Sequence, residues 1–213
     1  MKKTLIFVLA GFATPTLARE TPPPPPKIDN ARVTVFDTEL HPRGPCAGIS
    51  HQGDYVILYF EGGRIRSADG KTATRPSGGA TFGHGGVTCD TAVDKPVREI
   101  VVELKDTPSN TVPNTTGLPP AFPREGSKLI LENDRIRVWN YAWVPGKPTP
   151  MHFHNTEVVV AYRGNGDVSS TTPDGKATVN HRKAGDIVFN VANRSHSEAL
   201  VQGEQSGIML ELK

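Results

Sequence analysis

The densest chemistry in the chain lies in Met151-His152-Phe153-His154-Asn155-Thr156-Glu157, which holds two of its seven histidines. On a β-strand, residues i and i+2 project from the same face, so His152 and His154 point together and Phe153 points away. Two neutral imidazoles one residue apart can serve one metal ion. Asn155-Thr156 suits a two-residue hairpin turn, and across such a turn His154 and Glu157 would face each other as a cross-strand pair. Downstream, in Ala-Asn-Arg-Ser-His-Ser-Glu, His196 follows a turn and opens a further strand. An antiparallel return would bring it beside His152 and His154. Three imidazoles and a carboxylate suit one divalent transition metal, Fe, Mn, Ni, Cu or Zn, and the donor types alone do not choose among them. Glu157 would be a ligand or a catalytic general base. The competing reading is a polar strand face with a structural histidine pair.

The elements that must position these residues read as β throughout. Tyr-Val-Ile-Leu-Tyr-Phe (55–60) and Val-Val-Val-Ala-Tyr (158–162) are β-branched and aromatic, and Gly/Asp/Asn turns bound them. The 21 glycines and 19 prolines among 213 residues favour turns and short strands over long helices. Many short strands with close turn signals predict a sandwich or barrel. The chain also repeats itself. Four elements recur in the same order in two halves: residues 31–40 and 134–143, 54–63 and 157–166, Ala-Asp-Gly-Lys and Pro-Asp-Gly-Lys, and two closing strands that both end in Glu-Leu-Lys. Four matches in order argue for an internal duplication. Residues 31–105 and 127–213 are the two units. The Pro/Asn/Thr-rich stretch 106–126 reads as a linker, and residues 19–30, with five consecutive prolines, as a tether.

Residues 1–18 combine two lysines, a short apolar run and small residues before a cut near Ala18, the pattern of a secretory signal. A periplasmic or secreted location is expected, and no other segment has the length and hydropathy of a transmembrane span. The formal charge of +2 disappears when Lys2 and Lys3 leave with the signal. Without a basic stripe, nucleic acid is not an expected partner. Cys46 and Cys89 are an even pair, as one disulfide in an oxidising compartment would require, although two thiols also fit.

These residues bring a family into view. The second half resembles a cupin. Gly146, His152, His154, Glu157 and Gly164 fill the first cupin motif with a shortened His-to-Glu spacing. Gly185 and His196 fill the second, with Val191, Asn193 and Leu200 at its proline, glycine and asparagine positions. The resemblance, over roughly residues 128–213, implies an all-β fold of two tandem jelly-roll barrels, a metal held by His152, His154, Glu157 and His196, and a small-molecule ligand or substrate. It also admits a homodimer. Aligned on Gly62 and Gly164, the first half places His51 near His154, Ser50 or Ile49 at His152, and Thr88, Cys89 or Asp90 at His196. Its ligand set is broken, so no metal is expected there. In a cupin barrel Cys46 and Cys89 would lie close enough to bridge.

The function expected from this resemblance is a metalloenzyme acting on a small oxygen-bearing molecule, an oxygenase or a sugar-acid isomerase or lyase. The alternatives are a non-catalytic metal- or ligand-binding protein and a scaffold. Tyr141, Met151, Phe153, Phe189 and Met209 are core residues or pocket lining. Arg163 and Arg194 are solvated charges or anion contacts, and His181 is a surface residue.

Overall fold

The computed structural model describes residues 24–44 and 47–213. The expected secretory signal 1–18, the start of the expected tether and Cys46 lie outside them. The first unit contains β1 (Ile28–Asp29), β2 (Val33–Leu40), β3 (Ala47–His51), β4 (Tyr55–Tyr59), β5 (Gly63–Arg66), β6 (Thr72–Arg75), β7 (Ala80–Gly83), β8 (Gly86–Ala92) and β9 (Val97–Leu104). The second contains β10 (Lys128–Glu132), β11 (Ile136–Trp143), β12 (His152–His154), β13 (Glu157–Tyr162), β14 (Asn165–Thr171), β15 (Ala177–Arg182), β16 (Ile187–Asn190) and β17 (Arg194–Leu212). No helix occurs among the described residues.

Both units are built alike. The first pairs its strands β1-β2-β9-β4-β7 in one sheet and β3-β8-β5-β6 in a second. The second unit repeats this as β10-β11-β17-β13-β16, with β12 and β14 on the first half of β17 and β15 beyond β14. The single 19-residue strand β17 thus does the work of β8 and β9 together. The repeated strand order is the duplication in three dimensions.

Alternation along the strands sorts the side chains into three clusters. Val35, Val56, Leu58, Ile100 and Val102 of the first unit meet Val138, Val159, Ala161, Ile208 and Leu210 of the second, all buried. This core lies between the two barrels and holds the five-stranded sheets face to face. The opposite faces fill each barrel: Phe36, Ile57, Tyr59, Val97 and Val101 in the first, and Phe122, Trp139, Tyr141, Trp143, Val158, Val160 and Tyr162 in the second.

Two expectations about the connecting segments change. Within the predicted tether, β1 pairs with β2 through Ile28↔Val35, so residues 28 and 29 belong to the fold. The 106–126 stretch is a strap laid along the second barrel. Val112 N–H donates to the Asn155 carbonyl, Ala121 N–H to Phe153, and Phe153 N–H to Pro119. Backbone donors and acceptors must be satisfied where the chain is covered, and a Pro-rich segment that cannot form a central strand still offers alternate carbonyls and N–H groups to β12.

Candidate metal centre

β12 pairs antiparallel with the start of β17, with His152 opposite His196 and His154 opposite Arg194. This register makes the predicted return of His196 real. The turn into β17 needs a left-handed residue, and Asn193 takes it at φ 62° while its N–H donates to the His154 carbonyl. Asn tolerates that conformation better than most non-glycine residues, which explains how it fills the motif's glycine position. Gly164 is required for close approach: a Cβ there would lie 2.3 Å from the Glu204 carbonyl oxygen.

His152, His154 and His196 are all buried, and a ring nitrogen from each lies within 4.8 Å of the other two. His154 Nε2 and His196 Nε2 are 3.2 Å apart. His152 Nδ1 donates to the Pro150 carbonyl at 2.8 Å, which fixes its tautomer and leaves Nε2 a lone pair. That Nε2 is buried without a partner. Burial pulls the His154 pKa down to about 2, with His196 and His152 adding to it. Burial also brings His196 to about 4, against the opposing pull of Glu198, and lowers His152. All three rings are therefore neutral at pH 7 with lone pairs available, the state a metal ligand needs.

Glu157 does not join them. β12 and β13 do not pair with each other; Asn155-Thr156 carries the chain from one sheet to the other instead of closing a hairpin. Glu157 pairs with Leu212 and shares its face with Val159 and Ala161, toward the first barrel. There its Oε2 accepts from Arg32 Nε at 2.7 Å and its Oε1 from Asn110 Nδ2 at 3.1 Å. The motif glutamate is a latch between barrels, and no part of the histidine cluster.

The carboxylate at the cluster is Glu198, which the sequence reading missed. Arg194, His196 and Glu198 occupy alternate positions on β17, so one face of one strand delivers a guanidinium, an imidazole and a carboxylate. Glu198 Oε1 is 3.8 Å from His196 Nε2. Its Oε2 accepts from Arg124 Nη1 at 3.0 Å and from the Trp143 indole at 3.3 Å. Burial is the largest single influence and works against the Glu198 anion, but Arg124, His196 and His152 together hold the carboxyl below its usual range. Arg124 arrives on the strap, stacked over Tyr141 with its Cζ 3.9 Å from the ring centroid. Alternation from His196 could have flagged Glu198; nothing local flags Arg124.

His154, His196, Glu198, Arg194 and Arg124 line a cavity of about 100 Å³ with Phe122, Trp143, Tyr162, Arg182, Asn190 and Met209. Of the expected lining residues, Met209 is present, and Tyr141 lines a neighbouring cavity of about 150 Å³. Phe153 is buried outside the cavity, and Phe189 packs on the inter-barrel core. Arg194 faces the cavity, whereas Arg163 donates to Ser77 of the first barrel. His181 is exposed beside Asp167.

Solved structures share this architecture. AerE from Microcystis aeruginosa is 13% identical over 90% of this chain and 98% of its own, at a TM-score of 0.57. A cupin 2 conserved barrel domain protein from Leptotrichia buccalis is 15% identical over 87% and 86%, at 0.52. The chain has the cupin fold. The Bacillus subtilis oxalate decarboxylase, described for its Mn(II) centres, is 14% identical over 85% of this chain and 68% of its own, at 0.54. No family model and no curated protein sequence matches the chain.

The two cupin barrels can now be aligned by register. His51 pairs with Gly86 and Ile49 with Thr88, as His154 pairs with Arg194 and His152 with His196. The triad therefore maps to Ile49, His51 and Thr88. The remaining His51 is satisfied by Thr88 Oγ1 at 2.9 Å and Glu103 Oε1 at 3.3 Å, and it stacks on Tyr55.

Proposed function

We propose that this is an exported cupin whose second barrel holds one divalent transition metal, Fe, Mn, Ni, Cu or Zn, for chemistry on a small oxygen-bearing molecule. The observation that carries this reading is the convergence of three neutral, buried imidazoles: His154 and His196 line the cavity, and His152 joins them with an orphaned Nε2. An unpaired buried nitrogen costs about 1–3 kcal/mol, which a bound ion would remove. His152, His154 and His196 would hold the ion. When bound, such an ion supplies Lewis acidity to a substrate oxygen.

The chain's own residues do the rest. Pro150 orients His152 through its carbonyl. Arg124 and Trp143 hold one oxygen of Glu198 and leave the other free beside His196, where it can accept and return a proton. Phe122, Trp143, Tyr162, Val158 and Val160 exclude bulk water. The Mn(II) centres of the similar oxalate decarboxylase support a metal in this fold. Export rests on residues 1–18, and with it a Cys46–Cys89 bridge.

Metal content of the protein, purified without added metal, is the test. About one equivalent of a transition metal, lost in His152→Ala/His154→Ala, is expected if three imidazoles anchor the ion. No metal in either protein, even after reconstitution, would refute the proposal.

A further inference from the structure

The cavity beside the histidine triad carries an unbalanced charge. Three guanidinium groups line it: Arg124 from the strap, Arg182 from the end of β15 and Arg194 from the start of β17. Glu198 is the only carboxylate in its lining, and it is already paired with Arg124. An imidazole, neutral or protonated, carries no negative charge, so the triad offsets nothing. Arg194 donates through Nε to the Val191 carbonyl, and Arg182 through Nη2 to Asn180 at a long 3.3 Å while its guanidinium also meets Tyr162; none of these partners is a carboxylate. The Nε atoms of Arg124 and Arg182 are buried with no partner at all. Holding charge in a half-buried wall without an ion-pair partner is unfavourable, and neither Arg182 nor Arg194 has such a partner among the described residues, before any metal is added.

Resting on the proposed reading of the site, we infer that the ligand of the second barrel is a small dianion of the dicarboxylate class, and that Arg182 and Arg194 are its specificity-determining residues. Two negative charges match the two guanidinium charges of Arg182 and Arg194, and a divalent ion on the triad would add to the attraction. Guanidinium groups pair with carboxylates through two parallel N–H donors, which fixes orientation as well as charge. Ser170, Asn180 and Asn190 line the same end and supply neutral partners for the remaining oxygens. The cavity of about 100 Å³ restricts the ligand to a few heavy atoms. Arg124 has a different part: with Glu198 already on it, it positions that carboxylate.

Calorimetric titration of the full mature chain with malonate and succinate, and with malonamide and succinamide as neutral isosteres, tests this. Metal content is measured on the same samples. The expected result is binding of at least one dianion and diamide binding at least about tenfold weaker, because each charge-assisted pair is worth a decade or more. Arg182→Gln and Arg194→Gln should each weaken the dianion by at least about tenfold, with Arg→Lys recovering part of it, while metal content stays unchanged. Equal affinity for dianion and diamide, or dianion binding that survives both glutamine substitutions, would overturn the inference. So would failure of both dianions to bind a metal-loaded chain, which leaves the metal reading intact. Dianion binding by a chain that takes up no metal sinks the metal reading alone. Should the variants misfold, the diamide comparison on the unmodified chain still decides.

Discussion

Replacing Arg32 or Glu157 separates two roles that a cupin glutamate can have. As a ligand, Glu157 would govern metal content; as a latch, it governs stability. The two side chains are 9% and 8% exposed and meet at 2.7 Å. Arg32 Nη1 also donates to the carbonyls of Thr107 and Pro108, each at 2.7 Å. Arg32→Met therefore orphans a buried carboxylate and the start of the strap together. Breaking a buried pair from one side costs roughly 3–5 kcal/mol. For a chain of this size, each kcal/mol shifts Tm by about 2–4 °C, so a fall of roughly 6–20 °C is expected. Glu157→Gln should fall less, because its amide still accepts from Arg32. Replacing both residues, Arg32→Met with Glu157→Leu, should recover much of the loss, since no charge is left buried alone. Thermal unfolding and metal analysis on the unmodified chain and these three variants provide the readout. Metal lost from Glu157→Gln at unchanged stability would refute the latch and restore the glutamate as ligand.

Two further outcomes follow from the first barrel. Ile49→His with Thr88→His should rebuild a triad around His51, raising metal from about one to about two equivalents per chain if register alone determines the site; metal analysis in a His154→Ala background isolates the new site. Glu99, 4% exposed on the inward face of β9 with Val97 and Val101, has its pKa raised to about 8, first by burial and then by Asp90. Between its ordinary 4.5 and about 8, the folded chain keeps a proton that the unfolded chain has released. Stability should therefore fall as pH rises through that window, by up to ~4–5 kcal/mol at ~1.4 kcal/mol per unit. Glu99→Gln should flatten the profile in denaturant titrations from pH 5 to 9, and an unchanged slope would refute the assignment.

The barrels and the triad were legible because both depend on short-range pattern. Alternation at His152 and His154, the recurring strands and the spacing to His196 are periodicities of two, and the sheet preserves them. Glu157 was misread for a reason just as local. The two residues between His154 and Glu157 fit a hairpin, but only the second barrel's sheet order shows that the chain changes sheets there. Its true partner, Arg32, lies 125 positions away, on a barrel whose docking no local pattern encodes. Arg124 was hidden because a stretch rich in proline and asparagine reads as linker whether it hangs in solvent or lines a wall. Its role comes from carbonyls and N–H groups that β12 happens to leave unpaired.

The length of β17 has a consequence for how the protein breathes. Residues 194–198 carry the histidine, arginine and glutamate of the cavity, and residues 207–212 run through the middle of the sheet that packs on the first barrel. In the first barrel, β8 and β9 are separate strands, so one can fray while the other stays paired. In the second, one continuous strand runs from the cavity to the inter-barrel core, pairing in turn with β12, with β14 and then with β11 and β13. Local opening of the site and loosening of the dimer-like seam between barrels then belong to one cooperative unit. An occupant of the cavity should therefore slow amide exchange along the far end of β17, well beyond anything it touches, as hydrogen exchange would read.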